Sequence, residues 1–348
     1  MGKYRLLNTT LSTIFVSALL ITLNFFNAKA QQKGAPFGVN LAGAEFGKIG
    51  TDHYGYPTTS ELDYFKSKGL TLFRLPFKWE RLQPELNGPL AAGELKNMKV
   101  FVEEAAKRNL LVILDMHNYA RRYVDGKEEI INNGVVTALQ VADAWKKIAL
   151  EFKDAKNIWA YGLMNEPYNM PAKTAWLDIA QVIINEVRKV DAKTSILIGG
   201  DFWSSAGRWQ EMSDHLKELK DPSNNLIFEA HVYFDEDASG SYKRTYEEEK
   251  AYPNVGVDRV KPFVTWLKKN KKRGFVGEYG IPDNDDRWFP ILEKTLAYLK
   301  ENGVNGTYWA AGPRWGKYIL SVEPREGKDR PQMPSLTKFL YADIPTKH

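Results

Sequence analysis

The sequence predicts an α/β fold, a single-domain (β/α)8 TIM barrel, on three observations. Short apolar runs alternate with helical segments, eight such runs are present, and many are continuously apolar rather than alternating. Continuous apolar runs are typical of parallel strands buried on both faces, and eight strands alternating with helices close a barrel. The runs are Pro36–Asn40, Thr71–Leu75, Leu111–Met116, Trp159–Met164, Ser195–Gly199, Leu226–His231, Gly274–Glu278 and Val304–Trp309.

Helical periodicity fills the intervals between these runs. Thr58–Ser60 is typical of a helix start, and Gly69 is typical of the end of the same helix. Two further helical faces are formed by Trp176, Ala180, Ile183 and Val187, and by Val257, Val260, Val264 and Leu267. An open doubly wound sheet is the alternative fold, and it is disfavoured because no glycine-rich phosphate turn follows the first run.

Residues 1–30 are predicted to be a secretory signal peptide. Lys3 and Arg5 precede a largely apolar stretch, and Ala28-Lys29-Ala30 has the small-x-small pattern of a cleavage site. A retained membrane anchor is the alternative. Cleavage would leave residues 31–348 as the catalytic barrel domain, secreted or periplasmic, with no membrane segment, and we expect this domain to be a monomer.

Charge and cysteine content exclude several classes of protein. The formal net charge is +5, and the predicted signal holds three of the basic residues, which leaves about +2. This balance does not indicate a nucleic-acid partner. The chain has no cysteine, so thiol redox chemistry is excluded and stability has to come from the buried core.

Polar and aromatic residues follow the carboxyl ends of the predicted strands, where barrel enzymes place their active sites. They are Asn40, Arg74, His117, Asn118, Asn165, Glu166, Trp203, His231, Tyr233, Glu278 and Trp309. So many at the same strand ends are hard to obtain by chance, and we interpret them as one site. The two histidines lack the spacing of a metal site, so we expect no metal.

Two carboxylates carry the predicted chemistry. Glu166 and Glu278 end the fourth and seventh runs, on strands that lie across the barrel mouth from each other. Retaining glycoside hydrolases need two carboxyl groups about 5–5.5 Å apart, one protonated and one ionised. Arg74 and Tyr233 are expected to contact Glu278 and favour its charged form. We therefore predict Glu278 as nucleophile and Glu166 as acid/base, with Asn165 at the sugar 2-hydroxyl.

The motifs around these residues resemble those of glycoside hydrolase family 5, the former cellulase family A. They are Phe73-Arg74-Leu75-Pro76, Met116-His117-Asn118-Tyr119-Ala120-Arg121, Asn165-Glu166-Pro167, His231-Val232-Tyr233, Gly277-Glu278-Tyr279-Gly280 and Trp309. The resemblance runs from about Pro36 to Pro324. It implies a barrel, retention of anomeric configuration, no cofactor, and a β-glucan or cello-oligosaccharide as substrate.

Finer motifs are similar to the fifth subfamily, mostly endo-β-1,4-glucanases, and to its bacterial members. They are Gly38-Val39-Asn40-Leu41-Ala42-Gly43 and Thr307-Tyr308-Trp309-Ala310-Ala311-Gly312-Pro313. The resemblance implies cleavage of a β-1,4-glucan, with Asn40, Asn118, Trp203, Trp309 and Trp315 as substrate contacts. The sequence shows no carbohydrate-binding module or linker, which favours soluble or amorphous glucan as substrate. Arg314 departs from the aromatic residue of those relatives, which changes one expected sugar contact. The alternatives are a mannanase or other β-glycan hydrolase, a non-catalytic sugar-binding barrel, and a phosphate- or metal-using barrel enzyme.

Overall fold

Eight parallel strands close into a barrel in the computed structural model, which describes residues 37–171 and 175–340. The barrel strands are β1 (Gly38–Leu41), β2 (Leu72–Phe77), β3 (Leu111–Met116), β6 (Ile158–Gly162), β7 (Ser195–Gly199), β8 (Leu226–His231), β9 (Arg273–Glu278) and β10 (Asn305–Ala311). They pair in chain order, and β10 pairs with β1 to complete the ring. The predicted barrel is confirmed, and each strand lies within two residues of its predicted bounds. The predicted signal peptide lies outside the described residues.

Helices follow most of the barrel strands. They are α1 (Thr59–Ser67), α2 (Trp79–Leu82), α3 (Ala92–Lys107), α4 (Ala138–Phe152), α5 (Trp176–Arg188), α6 (Trp209–Met212), α7 (Val255–Asn270), α8 (Trp288–Glu301) and α9 (Met333–Thr337), with a 3-10 helix at Asp214–Glu218. The predicted start of α1 is confirmed by a capping box, in which Thr58 accepts from the Ser60 amide and Glu61 accepts from the Thr58 amide. Within the described residues, no helix is both long and apolar enough to cross a membrane.

A short antiparallel hairpin, β4 (Arg121–Val124) and β5 (Lys127–Ile130), stands between β3 and α4 and was not predicted. Its turn residues Asp125 and Gly126 have φ of 49° and 77°. Asp-Gly with both residues at positive φ is typical of the two-residue hairpin turn whose twist matches the flanking strands. This dipeptide was the available signal, and the polar composition of the two strands concealed it.

The barrel interior is arranged in layers along the strand direction. A lower layer is apolar and consists of Leu72, Ile113, Ala160, Leu197, Ile227 and Phe275. Side chains two residues apart on a strand point to the same face, so the next inward layer contains Arg74, Asp115 and Glu229 together with the glycines at positions 162, 199 and 277. The change from an apolar to a charged layer places the polar site at the carboxyl ends of the strands.

Candidate active site

Glu166 and Glu278 face each other at the carboxyl-terminal mouth of the barrel. Glu278 is the last residue of β9, and Glu166 follows β6 by four residues. One oxygen of each carboxylate and Nδ1 of His231 all lie within 4.8 Å of one another. Glu166 has a φ of 46°, immediately before Pro167. A non-glycine residue in the left-handed region is strained, and such residues cluster at functional sites.

Both oxygens of the Glu278 carboxylate accept hydrogen bonds. Arg74 Nη1 donates to Oε1 at 3.1 Å, and the Tyr233 hydroxyl donates to Oε2 at 2.8 Å. His231 Nδ1 lies 3.6 Å from the same Oε2. These contacts come from β2 and from the end of β8, so the orientation of the carboxylate in the cleft is fixed by the barrel itself.

Glu166 is in a different environment, because its carboxylate contacts His231. His231 Nδ1 lies 2.6 Å from Glu166 Oε1. Burial and then the negative charge of Glu278 raise the pKa of Glu166, and the opposing effect of His231 does not cancel them. Burial alone would lower the pKa of His231, but Glu278, Glu166 and Glu229 raise it to about 10. His231 is therefore an imidazolium at neutral pH beside a carboxyl group that tends to keep its proton.

Arg74 is fully buried and stands at the centre of the polar layer. Its guanidinium donates to Asn40 Oδ1 at 2.9 Å and to Asn165 Oδ1 at 2.7 Å. The amide of Asn40 donates to the carbonyls of Gly277 at 2.9 Å and Tyr308 at 3.2 Å. Asn40 was expected to contact substrate, but the structure places it against Arg74 and the strand backbone.

Asp115 and Glu229 flank Arg74 in this layer and were missed in the sequence. Asp115 Oδ1 is 3.0 Å from Arg74 Nη2, and Glu229 Oε1 is 2.9 Å from Arg74 Nε. Burial raises the pKa of Asp115 to about 7. Burial also acts to raise the pKa of Glu229, but Arg74 and His231 outweigh it and the pKa is lowered. The available signal was an acidic residue inside an apolar run, at an inward position.

His117 connects the buried layer with the cleft. Its Nδ1 lies 2.8 Å from Asp115 Oδ2, and its Nε2 lies 3.3 Å from Asn165 Nδ2. Burial and then the cation of Lys78 hold the pKa of His117 well below its usual value, so the ring is neutral. Trp309 stacks on this ring, with centroids 5.4 Å apart and planes 11° apart. His117 therefore positions both the Asn165 amide and an aromatic wall of the cleft.

Asn118 was also expected to bind substrate, and the structure gives its side chain other partners. Its Oδ1 accepts from the Trp79 amide at 2.8 Å. Its Nδ2 donates to Glu80 Oε2 at 2.7 Å and to the Arg121 carbonyl at 3.2 Å. Asn118 thus joins the loop after β3 to helix α2.

Two tryptophans line one end of the cleft. Trp309 is half-buried and meets Trp315 edge to face, with centroids 5.6 Å apart. Trp315 stacks in turn on Tyr318 at 4.4 Å. The neighbouring Arg314 packs its guanidinium on Gly55, where a Cβ would lie 2.5 Å from Nη2. Arg314, which stands where an aromatic residue was expected, therefore covers the backbone of Gly55.

The other end of the cleft is a cavity of about 790 Å³ whose lining includes Glu166, His231 and Trp203. Trp203 is 37% exposed and stacks on Tyr168, with centroids 4.6 Å apart and planes 15° apart. The Arg121 guanidinium lies over the Tyr168 ring at 3.7 Å. Tyr168 is therefore held between a cation and an indole, and the indole presents a flat face to the cavity.

The loop after β8 forms the opposite wall of this cavity and is anchored through its backbone. Arg259 of α7 donates to the carbonyls of Tyr233 at 2.5 Å, Asp235 at 2.6 Å and Glu236 at 3.0 Å. The Asp235 carboxylate accepts from the backbone amides of residues 240–242 at 2.9 to 3.2 Å. The position of Tyr233 is thus determined by contacts to main-chain atoms.

Glu166, His231 and Glu278 form the one group of potential metal ligands found among the described residues. Their arrangement fits a metal ion poorly. A histidine binds a metal through a ring-nitrogen lone pair, whereas His231 Nδ1 is already engaged with Glu166 Oε1 at 2.6 Å.

Two carboxyl groups that converge at the carboxyl-terminal mouth of a (β/α)8 barrel, beside a cleft with flat aromatic walls, define the site of a glycoside hydrolase. The sequence pattern of the cellulases, glycosyl hydrolase family 5, matches residues 30–314. The chain therefore belongs to glycosyl hydrolase family 5.

Curated and solved relatives agree with this assignment. Endo-beta-1,4-glucanase B of Emericella nidulans is 36% identical over 301 residues, which cover 84% of this chain and 87% of the relative. The crystal structure of Pseudomonas stutzeri endoglucanase Cel5A in complex with cellobiose is 40% identical, with a TM-score of 0.83, and the match covers 89% and 93% of the two chains. A triple mutant of an endo-beta-1,4-glucanase from Xanthomonas axonopodis pv. citri is 41% identical, with a TM-score of 0.81 over 88% and 98% of the chains.

Proposed function

We propose that this protein is an endo-β-1,4-glucanase that cleaves internal bonds of soluble or amorphous β-1,4-glucans with retention of anomeric configuration. The observation that carries the proposal is the separation of at most 4.8 Å between carboxylate oxygens of Glu166 and Glu278. Retaining enzymes hold these groups about 5–5.5 Å apart, whereas inverting enzymes need about 6.5–9.5 Å to admit a water molecule. The endoglucanase relatives, one of them solved with cellobiose, support the choice of substrate.

In the first step, Glu166 is the acid and Glu278 the nucleophile. Glu166 gives its proton to the glycosidic oxygen as the bond to the anomeric carbon breaks, and a Glu278 oxygen bonds to that carbon. Arg74 and Tyr233 keep the Glu278 carboxylate oriented during the attack. The leaving chain occupies the cavity beside Trp203, because Glu166 lines that cavity.

In the second step, the Glu166 carboxylate takes a proton from water, the water oxygen attacks the anomeric carbon, and Glu278 leaves. Two displacements on opposite faces restore the β configuration. The His231 imidazolium stabilises the Glu166 anion between the two steps through its 2.6 Å contact. Asn165 donates to the sugar 2-hydroxyl. We assign Asn40 and Asn118 to support of the site, since both side chains are engaged within the protein.

Trp309 and Trp315 stack the sugars on the Glu278 side of the bond, and Trp203 stacks those of the leaving chain.

We also propose that residues 1–30 are removed on export and that residues 31–348 act as a secreted or periplasmic monomer without a metal or cofactor. Sequencing the amino terminus of the exported protein and measuring its mass in solution test these two points.

The proposal is tested by following cellopentaose cleavage with proton NMR. Retention predicts that the new reducing end appears first as the β anomer. Glu278→Gln should bind cellopentaose without turnover, whereas Glu85→Gln, which changes an exposed carboxylate, should match the wild type. Initial release of the α anomer, or substantial turnover by clean Glu278→Gln protein, would overturn the mechanism. Faster cleavage of glucomannan or xylan than of carboxymethylcellulose and barley glucan would overturn the substrate assignment.

A further inference from the structure

Below the catalytic pair, one oxygen of Glu229 faces two cations. Oε1 lies 2.9 Å from Arg74 Nε and 3.6 Å from His231 Nε2. Glu229 and His231 are two residues apart on β8 and therefore point to the same inward face. We propose that Glu229 is a positioning residue that acts on Glu166 through His231, by fixing the ring as an imidazolium whose Nδ1–H is directed at Glu166. This inference rests on the proposed acid/base role of Glu166.

The first reason is that both ring nitrogens of His231 face carboxylate oxygens. Nδ1 is 2.6 Å from Glu166 Oε1 and 3.6 Å from Glu278 Oε2, and Nε2 is 3.6 Å from Glu229 Oε1. When Glu166 is ionised, a neutral His231 ring would turn one lone pair toward a carboxylate in a buried site, which is costly. Only the doubly protonated ring presents an N–H on both sides.

The remaining charged groups around His231 do not reverse this balance. Arg74 on β2 is a cation and opposes protonation of the ring, but it is itself in contact with Asp115 of β3 and with Glu229. His117, after β3, is kept neutral by burial and by Lys78, as its lowered pKa indicates. The net result is the raised pKa of His231, about 10, in spite of burial.

The second reason is that β9 leaves space for the Glu229 carboxylate. A Cβ at Gly277 would lie 1.9 Å from Glu229 Oε1 and 2.8 Å from its Cδ. The residue before Glu278 therefore has to lack a side chain for Glu229 to occupy its place. The carboxylate is held between β9, Arg74 and His231, so its distance from His231 is fixed by the barrel.

The consequence concerns the proton of Glu166. When Glu166 has given its proton to the leaving group, its carboxylate accepts a hydrogen bond from Nδ1–H of His231. This hydrogen bond is present only while the His231 ring stays charged. Removing the negative charge of Glu229 lowers the pKa of His231, because a neighbouring anion favours the charged ring. The basic limb of the pH profile of activity should then move to lower pH, because His231 loses more easily the proton that stabilises the Glu166 anion.

Asp115 provides a matched control. It is the other buried carboxylate on Arg74, at 3.0 Å, but its second contact is His117 Nδ1 at 2.8 Å and not His231. Glu229→Gln and Asp115→Asn each replace a carboxylate by an amide of the same shape. Both variants disturb Arg74, and only the first removes the anion that faces His231.

The experiment is a pH titration of the His231 ring by ¹⁵N NMR in the full-length protein, with the signal assigned by its loss in His231→Gln. We expect Glu229→Gln to lower the titration midpoint of His231 by about one pH unit or more, and Asp115→Asn to lower it less. The basic limb of kcat/KM on an aryl β-cellobioside should shift in the same order. An unchanged His231 titration, or an equal loss of activity at every pH, would overturn the inference.

Two further arms keep the result decisive. Glu229→Asp retains the charge but withdraws it by one methylene, and it replaces Glu229→Gln if that variant does not fold. We expect it to shift the titration midpoint of His231 in the same direction by a smaller amount. No shift of this midpoint would refute the inference. The NMR titration needs no substrate. If the wild-type protein does not cleave β-glucan, the proposed function is disproved. If Glu229→Gln still shifts the titration of His231 in that case, the role of Glu229 in fixing His231 remains supported.

Discussion

Gly277→Ala is the sharpest steric test of the buried layer. Gly277 lies outside the left-handed region, so alanine fits its backbone and only the new methyl group matters. That methyl would stand 1.9 Å from Glu229 Oε1, where ordinary contacts are 3.4–4 Å. The Glu229 carboxylate must therefore retreat by about 1.5 Å, far enough to break its 2.9 Å contact with Arg74 Nε.

The expected cost follows from these distances. Overpacking a core costs about 1–3 kcal/mol, and separating one member of a buried ion pair costs about 3–5 kcal/mol. The two costs overlap, because retreat of the carboxylate relieves the clash. We therefore expect Gly277→Ala to lower the free energy of unfolding by about 3–5 kcal/mol, a large part of the usual total of about 5–15 kcal/mol.

Urea unfolding followed by tryptophan fluorescence measures this change. Gly93→Ala is the control, because Gly93 is in α3 and a Cβ there would have nothing within 4 Å, and this variant should gain up to about 1 kcal/mol. In a Glu229→Ala background the clash is absent, so Gly277→Ala should cost under about 1 kcal/mol there. An equal cost in both backgrounds would refute the steric explanation.

Three other predictions test separate parts of the molecule. Glu166→Ala should lower kcat/KM on cellopentaose by about 10²–10⁴-fold but much less on an aryl β-cellobioside with an acidic phenol, and azide should restore turnover as the β-glycosyl azide; no rescue would count against the acid/base role. Tyr168→Leu should raise KM for cellopentaose several-fold, since about 0.5–1.5 kcal/mol of stacking against Trp203 is lost, while Tyr168→Phe should match the wild type; equal KM values for both variants would exclude the stacking role. Burial would raise the pKa of Asp221, but its bonds, first to Arg188, lower it. Its stabilising effect is therefore present above its unfolded pKa of about 3.9 and lost as the pH falls further, so Asp221→Asn should be less stable than the wild type at pH 7 and approach it toward pH 3; a difference independent of pH would contradict this.

The barrel and the meeting of Glu166 and Glu278 at its mouth could be predicted because both follow from strand order. Continuous apolar runs indicate parallel strands, and a closed parallel barrel brings every carboxyl end to one mouth. Glu166 and Glu278 are 112 positions apart in the chain, yet their strand numbers alone place them opposite each other. No side-chain detail was needed for that step.

The direction of individual side chains could not be predicted in the same way. Asn40 ends β1 at the mouth, but its amide turns to the carbonyl of Gly277, 237 positions away, and to Arg74. Whether an amide faces the cleft or the interior depends on partners from distant strands. Glu229 shows the converse case, because the apolar run around it conceals the acid although the two-residue alternation of the strand places it inward.

Arg259 anchors the loop after β8 through three main-chain carbonyls. Among the side chains at positions 236–239, the Ser239 hydroxyl takes part in the anchoring, because it donates to Asp235 Oδ2 at 3.1 Å. The exposed side chains of Asp237 and Ala238 line the cavity beside Trp203. Exchanging these two residues is therefore a route to altered acceptor preference in which the main-chain anchor still holds Tyr233 in place.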